Sequence, residues 1–421
     1  MSSVDRRNFL KSAGGTIGAI ALGGTLPGSI PAMAVSAPAP GRNSDAVSFH
    51  GPHQAGITTP QQGHTYFVAF DIVAKEKSAL VELLKAWTKA GERLSRGLPA
   101  AQPEKDLEKP GTDSGEADGL PASRLTITFG FGFGLFTKNG LDRFGMGHLK
   151  PDVFTELPKF HGDQLVDARS GGDISVQACA DDPQVAFHAV RQLARLAENI
   201  LEIRWAQSGF LGKGKPGDTP RNLMGFKDGT QQPAAPDHNR YVWVGEEGPE
   251  WLRGGSYLVV RRVRIALEHW DRTEVGFQEQ VIGRHKATGA PLGKAHERED
   301  LGLDRTDKDG NPVIPQDAHV RMAAAASNGG AQMLRRGYSY NDGVNFVAER
   351  WPPWHQGMEY DAGLFFLSYQ KNLQNGFVKI FSNLAKLDSL NQFATHVGSG
   401  VFICPPGVRP GQYIGQALLE A

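Results

Sequence analysis

Two periodicities of hydrophobic and polar positions follow one another along the first half of the chain. Alternating or continuously apolar runs predict strands, and apolar positions three and four residues apart predict helices. The predicted strands cover residues 65–74, 124–136 (Gly-aromatic in its second part), 173–180 and 201–210. The predicted helices cover about 75–96 and 183–200, with a polar loop at 99–122.

The second half of the chain repeats this order. Strands are predicted at 256–268, 363–370 and 400–407, with helical segments up to about 281 and over about 373–387 and a long polar segment at 285–316. In both halves a strand leads to a helix and a later strand–helix pair returns, which is the β-α-β-β-α-β order of a ferredoxin-like unit. We predict an α+β fold of tandem duplicated ferredoxin-like units, each an antiparallel sheet with helices on one face. The predicted domains are 64–230 and 231–421.

The N-terminus has the layout of an export signal. The charged stretch DRRNFLK precedes a Gly-rich apolar run and an A-x-A site at Ala32 and Ala34, so residues 1–34 are predicted to be removed. The pair Arg6–Arg7 resembles a twin-arginine signal, with Asp5 where Ser or Thr is usual. An ordinary secretory signal is the alternative. The twin-arginine route carries folded proteins and suits a protein that takes up a cofactor before export.

No segment of the sequence is expected to insert stably into a membrane. The apolar run of the signal is shorter than the roughly 20 residues that span a bilayer. The next segment, residues 35–63, is rich in Pro, Gly and Ser and is predicted to be an extended arm laid over the surface.

Composition and the absence of several motifs argue against some classes of function. Lys plus Arg and Asp plus Glu both number 45, so no basic excess favours nucleic acid as a partner. Two cysteines, Cys179 and Cys404, allow at most one bridge, and we expect two free buried thiols. The sequence has no HExxH or CxxC motif, no phosphate-binding loop and no G-x-S-x-G, which leaves zinc, P-loop and serine-hydrolase chemistry without support.

One set of residues has the chemistry that a haem peroxidase needs. Such a site needs a histidine that binds the iron from one side. The other side needs an acid–base group and a cation, surrounded by apolar side chains that exclude water. The candidates are Asp228 in GFKDGT, His319 in DAHVRM after the long polar segment, Arg335 and Arg336 in MLRRGYSY at the end of a second loop, and Leu364 and Phe366 on one face of a strand.

These sequence motifs are similar to those of the dye-decolorizing (DyP-type) haem peroxidases. GFKDG matches the family's GxxDG motif, and TFGFG, AHVR, LRRGYSY, THVGSG and CPPG also occur in this family. The resemblance covers the chain from about Thr65 to its C-terminus and is greatest to the exported iron-deferrochelatase/peroxidase branch. One departure is QQP at 231–233, where relatives often carry small or Asn residues.

The resemblance implies a role for each candidate. Asp228 matches the distal acid–base aspartate, Arg335 the distal charge-stabilising arginine, and His319 the proximal ligand of one haem b per chain. Leu364 and Phe366 match the apolar distal residues. The alternatives are a turn residue at Asp228, a surface or propionate-binding role for Arg335, and Arg336 as the distal arginine.

Two further positions are candidates for the site. Asp388 in KLDSLNQ matches the carboxylate that receives the proximal imidazole N–H, with an exposed helix-end residue as the alternative. His188 in AFHAVRQL is the alternative iron ligand, and a satisfied core histidine is the simpler interpretation.

The implied reaction is the reduction of hydrogen peroxide through a ferryl intermediate, with oxidation of dyes, phenols or porphyrinogens. Because a free aspartate has a pKa of about 3.9, the activity is predicted to be highest at acidic pH. The alternative function is a periplasmic haem-handling protein, a deferrochelatase, that releases iron from haem for an iron-uptake system. The implied partners are peroxide, a small-molecule reductant and the twin-arginine export machinery, and the chain is expected to form a homodimer.

Overall fold

The computed structural model of the protein describes residues 45–212, 214–215, 217–345 and 359–421. The predicted signal peptide and the first part of the predicted arm lie outside the described residues. Among the residues described, no helix has the length and apolar character needed to cross a membrane.

The described residues contain nine strands, all paired antiparallel. They are β1 His64–Ile72, β2 Thr126–Phe131, β3 Ile174–Ala180, β4 Leu201–Phe210, β5 Ser256–Ile265, β6 Leu334–Arg335, β7 Tyr338–Asn345, β8 Glu359–Gln370 and β9 Ala394–Cys404.

The same residues contain nine α-helices, several of them a single turn. They are α1 Lys77–Leu94, α2 Phe133–Phe136, α3 Pro183–Leu196, α4 His238–Tyr241, α5 Leu267–Trp270, α6 Val275–Ile282, α7 His319–Ala323, α8 Lys379–Leu387 and α9 Gln416–Leu419. A π-helical turn at Gln374–Val378 leads directly into α8.

The strand order confirms the predicted duplication. In the first half the sheet order is β2-β3-β1-β4, and in the second half it is β9-β5-β8-β7. Both orders place the fourth strand of a unit beside the first, as a β-α-β-β-α-β unit requires. The short β6 pairs with the end of β8.

The two sheets also meet at both edges, which the sequence did not predict. Phe131 of β2 pairs with Ile403 of β9, and Phe210 of β4 pairs with Ser339 of β7. The strands therefore close into a barrel. Its interior is filled by side chains of both halves, including Phe67, Leu258, Val260, Phe365, Leu367, Tyr369, Phe402 and the free thiols of Cys179 and Cys404.

The outer face of each sheet receives the other set of alternating side chains. Helices α1 and α3 cover the N-terminal sheet, where Trp87 of α1 donates its indole N–H to the carbonyl of Leu193 in α3 at 2.8 Å. The outer face of the C-terminal sheet is faced by α8 and the π-helical turn before it, and the rings of Phe366 and Phe377 lie 6.2 Å apart. This second layer contains the candidate site.

The structure corrects the sequence prediction in one segment of the second half. The sequence places Arg335 at the end of a loop, but Leu334–Arg335 and Tyr338–Asn345 are strands that pair with β8. Their Arg, Gly, Asn and Asp residues hide the strand pattern, and the pairing with β8 stabilises it. Strand β9 also begins at Ala394, earlier than predicted.

The described part of the arm, residues 45–63, is not confined to the surface. Phe49 is buried in the core beneath α1, and Ile57 is buried with the barrel side chains. The side chain of Gln54 donates to the carbonyls of Phe129 and Pro405 at 3.0 and 2.9 Å. These contacts tie the arm to strands of both halves.

Candidate active site

A large cavity lies between the outer face of the C-terminal sheet and helices α7 and α8. Its volume is ≈ 590 Å³, within the range of about 300–1,000 Å³ typical of ligand and cofactor sites. The residues of the predicted site that line it are Asp228, His319, Arg335, Leu364, Phe366 and Asp388. The structure thus brings together residues from five separate stretches of sequence.

Asp228 lies at the end of a tight hairpin. The side-chain Oδ1 of Asn222 accepts hydrogen bonds from the backbone N–H groups of Met224 and Phe226, at 3.1 and 3.3 Å. Gly225 adopts φ 84° and Gly229 adopts φ 116°, a region that other residues rarely occupy. These two glycines explain the glycine frame of GFKDGT, because the chain must turn sharply on both sides of the aspartate.

Asp228 and Arg335 form an ion pair in the cavity. Arg335 Nη1 lies 3.3 Å from Asp228 Oδ1. The other carboxylate oxygen, Oδ2, accepts a longer hydrogen bond of 3.5 Å from Asn222 Nδ2. Each carboxylate oxygen thus has one partner. Because both ionic side chains are only partly buried, the carboxylate is also accessible from the cavity.

Gln231 and Gln232, which follow the GxxDG motif, hold Arg335. The backbone N–H of Arg335 donates to Gln232 Oε1 at 2.9 Å, and Gln232 Nε2 donates to the carbonyl of Arg335 at 2.9 Å. Arg335 Nη2 donates to the carbonyl of Gln231 at 3.0 Å. The only sequence signal for this clamp was the departure QQP directly after the GxxDG motif.

His319 and Asp388 form a second pair on the helical side of the cavity. His319 Nδ1 lies 2.6 Å from Asp388 Oδ2. Asp388 is buried, and its Oδ1 accepts the backbone N–H of Leu390 at 2.8 Å, which fixes the carboxylate. Burial by itself would lower the pKa of His319, but the negative charge and hydrogen bond of Asp388 outweigh it and raise the pKa. With Nδ1 engaged, Nε2 is the nitrogen left for a ligand.

The sheet side of the cavity is apolar. Leu364 and Phe366 of β8 are half-buried and face the cavity, while Phe365 and Leu367 between and after them are fully buried in the barrel. This alternation is the strand pattern expected for a sheet with a cavity on one face.

His396 of β9 is a cavity-lining residue that the sequence did not single out, although it lies in the phrase THVGSG. Its Nδ1 accepts a hydrogen bond of 3.1 Å from Arg261 Nε. Burial, and next the charge of Arg261, lower the pKa of His396 to about 3. The ring is therefore neutral at ordinary pH, and its remaining nitrogen, Nε2, carries a proton.

Two alternatives from the sequence lie elsewhere. Arg336 points into the barrel, where it donates to the carbonyl of Thr59 at 2.6 Å and to the side chain of Gln62. His188 is buried on α3, with its ring nitrogens 3.5 Å from Asp113 and 3.2 Å from Glu116. Neither residue lines the cavity.

The residues of the cavity fit a haem group. One histidine has its outer nitrogen bound by a carboxylate and its inner nitrogen available, which is the usual second-shell arrangement of a metal-ligating imidazole. Apolar side chains make up much of the wall on both the sheet and the helical side. These donors and walls would hold a flat hydrophobic cofactor whose iron is bound by one histidine, His319.

Comparisons with known proteins agree with the fold. The family models for the N-terminal and C-terminal parts of Dyp-type peroxidases match residues 54–211 and 219–409. The deferrochelatase of Escherichia coli strain K12 is 36% identical over 432 residues, covering 99% of this chain and 97% of that protein.

Solved structures of relatives superimpose over most of the chain. Ferric DtpA from Streptomyces lividans is 38% identical with a TM-score of 0.80, covering 92% of this chain and 100% of that one. A DyP-type peroxidase from Cellulomonas bogoriensis is 35% identical with a TM-score of 0.79, covering 90% of this chain and 100% of that one. On the full-length identity and the two family models, the chain belongs to the Dyp-type peroxidase family, whose members are haem-binding oxidoreductases.

Proposed function

We propose that the protein binds haem b through His319 and reduces hydrogen peroxide, with Asp228 as the acid–base group and Arg335 as the charge-stabilising group. The observation that carries this proposal is the meeting of two charged pairs in one cavity. Asp228–Arg335 and His319–Asp388 both line it, one pair from the hairpin and the sheet, the other from the helical side.

Asp228 is suited to move the proton of a bound peroxide. Its carboxylate is held by Arg335 Nη1 and Asn222 Nδ2, and it is accessible from the cavity. A carboxylate within hydrogen-bond reach can take a proton from one peroxide oxygen and return it to the other. Arg335 keeps its charge at every working pH, so it stabilises negative charge on the oxygen that leaves.

His319 is suited to hold the iron, and haem, when bound, supplies the redox centre at which the O–O bond of peroxide is cleaved. The negative charge of Asp388 makes the imidazole a stronger donor and favours the ferric state. Leu364 and Phe366 exclude water from the sheet side. A drier site strengthens the electrostatic action of Asp228 and Arg335.

The proposal is tested by steady-state turnover of the haem-loaded protein with peroxide and a dye. We expect peroxide-dependent oxidation with a maximum below pH 7, in keeping with an aspartate as the acid–base group. Arg335→Leu is expected to lower the rate by about 10²–10³-fold, the usual cost of one charge-stabilising donor. Turnover that is unchanged in Arg335→Leu would contradict the role of this residue.

A second candidate function is the release of iron from haem. The observation that favours it is the 36% identity to the E. coli deferrochelatase over 99% of the chain. The two functions differ in product. Peroxide turnover with an intact iron porphyrin supports the peroxidase, whereas iron-free porphyrin as the product supports the deferrochelatase and an iron-uptake system as partner.

We also propose that the chain is exported folded by the twin-arginine route to the periplasm and forms a homodimer. The adjacent Arg6 and Arg7 before an apolar run support the route. Replacing both arginines by lysine should keep the protein in the cytoplasm, as cell fractionation would show. Light scattering of the purified mature chain tests the dimer.

A further inference from the structure

The long segment between α6 and α7 contacts the Asp228 hairpin at several residues. Arg221 donates to the backbone carbonyls of Lys286 and Ala287 at 2.6 and 2.8 Å. The side chain of Glu297 contacts residues on both sides of Asp228.

This segment follows Ile282 and ends before His319, and Glu297 lies within it. The further inference concerns the contact made by Glu297 and rests on the proposed function, because it assigns a residue that acts through Asp228.

Three side chains on the Asp228 hairpin and its approach converge on the Glu297 carboxylate. Lys227 Nζ lies 2.5 Å from Oε2, Thr230 Oγ1 donates to Oε1 at 3.0 Å, and Thr219 Oγ1 also donates to Oε1. Lys227 immediately precedes Asp228, and Thr230 follows it by two positions. One carboxylate therefore holds the chain on both sides of the proposed acid–base group.

The carboxylate is itself fixed and sheltered. Only 14% of the Glu297 side chain and 20% of the Lys227 side chain are exposed. The backbone carbonyl of Glu297 accepts a hydrogen bond of 2.9 Å from Arg284 Nη1, and Arg284 lines the cavity. Burial would raise the pKa of Glu297, but the hydrogen bonds from Lys227, Thr219 and Thr230 outweigh it and lower the pKa. The group is thus a charged acceptor at working pH.

The contacts within the hairpin leave the position of the Asp228 carboxylate weakly restrained. Gly229, between Asp228 and Thr230, adopts φ 116°, and glycine has the largest conformational freedom of any residue. The single hydrogen bonds of 3.3 and 3.5 Å to the Asp228 carboxylate are long for charged groups. The backbone N–H of Asp228 donates to the carbonyl of Pro220 at 2.9 Å, which holds the chain before the turn at Gly229. Glu297 adds contacts on both sides of that turn.

We propose that Glu297 is a positioning residue, which fixes the acid–base carboxylate of Asp228 by clamping Lys227 and Thr230 on either side of it. It touches neither the peroxide nor the haem cavity, since it is not among the cavity-lining residues. The long polar segment thereby contributes to the reaction with peroxide through one anchored side chain.

The test measures the rate at which the haem-loaded protein reacts with peroxide in Glu297→Ala. We expect a fall of about 10–100-fold, because small misplacements of a catalytic group have effects of this size. Glu297→Gln retains an acceptor for the threonines and is expected to fall between Glu297→Ala and the wild type. Asp309→Ala removes an exposed carboxylate of the same segment and should leave the rate unchanged.

A double-mutant cycle separates positioning from general destabilisation. In an Asp228→Asn background, Glu297→Ala should have no further effect on the peroxide rate, because the group it positions is gone. Hydrogen exchange of the haem-free protein gives an independent reading. Amides of residues 219–230 should exchange faster in Glu297→Ala than in Asp309→Ala, while the strands of the barrel keep their protection.

Three outcomes would overturn the inference. They are an unchanged peroxide rate in Glu297→Ala, an equal loss in the wild-type and Asp228→Asn backgrounds, and unchanged exchange of residues 219–230. The proposed function fails separately, through a different result: a peroxide rate in Asp228→Asn that equals that of the wild type.

Discussion

Asp228 and Asp388 are the same residue type in opposite environments. Asp228 is partly exposed to the cavity and shares its charge with Arg335, whereas the side chain of Asp388 is 3% exposed and bound to His319. Surroundings, not residue type, separate the roles of paired carboxylates in an active site. We therefore assign proton movement to Asp228 and control of the imidazole to Asp388.

The assignment of Asp388 predicts a change in reduction potential. Asp388→Asn keeps an acceptor for His319 Nδ1 but removes the negative charge, so ferric iron loses stabilisation relative to ferrous iron. Changes to such partners usually lower metal affinity or activity by about 10–100-fold. A loss of this size in the affinity for ferric relative to ferrous iron corresponds to a rise in the reduction potential of about 60–120 mV for a one-electron couple. Spectroelectrochemical titration of the haem-loaded protein measures it.

The exposed variant Asp304→Asn is the control for this titration, since it removes the same charge from a surface position. An unchanged or lower potential in Asp388→Asn would show that the carboxylate does not act on the iron through His319.

At the scale of elements, the charged loop at 99–122 is attached to α3. The Glu116 carboxylate lies 3.2 Å from both His188 Nδ1 and Arg191 Nη1, and Arg195 Nη2 donates to the carbonyl of Gly111 at 2.6 Å. Burial would raise the pKa of Glu116, but hydrogen bonds from Ser114, its own backbone N–H and His188 lower it to about 2. His188 is thus a satisfied structural histidine.

This attachment predicts a pH-dependent contribution to stability. Because the folded-state pKa of Glu116 lies below the unfolded value of about 4.3, its contribution is complete above that value. It is lost as the pH falls from about 4.3 toward about 2. Glu116→Gln should lower the thermal midpoint at pH 7, and the difference from wild type should shrink at pH 3.5.

Calorimetry at pH 7, 5 and 3.5 measures that difference. A difference in thermal midpoint between wild type and Glu116→Gln that stays constant, or that grows as the pH falls, would contradict this role of Glu116. The exposed Glu246→Gln serves as control, with no gap expected at any of these pH values.

The sequence predicted the strands and helices that have a clear hydrophobic periodicity of their own. Strands β1, β3 and β4 and helices α1 and α3 have strong periodicity, and their bounds lie within a few residues of those predicted. Strands β6 and β7 have mixed polar sequences, and their pairing with β8 depends on distant residues. The pattern of a short stretch of sequence therefore does not predict these two strands.

The same division applies to the site. Asp228, His319 and Arg335 belong to motifs of recognisable form, so the sequence named them as candidates, and the structure places all three around one cavity. Gln232 and Glu297 act through hydrogen bonds to residues far along the chain, and no spacing rule points to such contacts.

At the scale of the whole molecule, the barrel makes the two halves depend on each other. Phe67 of the first half lies 5.6 Å from Phe365 and 5.9 Å from Phe402 of the second half, measured between ring centroids. With both sheet edges joined, the core of one half is completed by side chains of the other. The candidate haem cavity lies on the outer face of this shared barrel.

A substitution in the barrel should therefore destabilise both halves together. Phe67→Ala leaves a cavity between the sheets and is expected to lower the free energy of unfolding by about 3–5 kcal/mol. Denaturant unfolding of the haem-free protein, followed by near-UV circular dichroism and by tryptophan fluorescence, should give a single coincident transition. Two separated transitions would show that the halves fold independently.

The most direct test of the account is the rate at which the haem-loaded protein reacts with one equivalent of peroxide, measured by stopped-flow absorption for wild type and Asp228→Asn. Asparagine keeps the shape and the contacts to Arg335 and Asn222 in part, but it cannot move the proton. The account predicts a loss of about 10²–10⁴-fold, the usual contribution of a general acid–base group. An equal rate in the two proteins would reduce Asp228 to a turn residue of the GFKDGT hairpin and contradict the central claim.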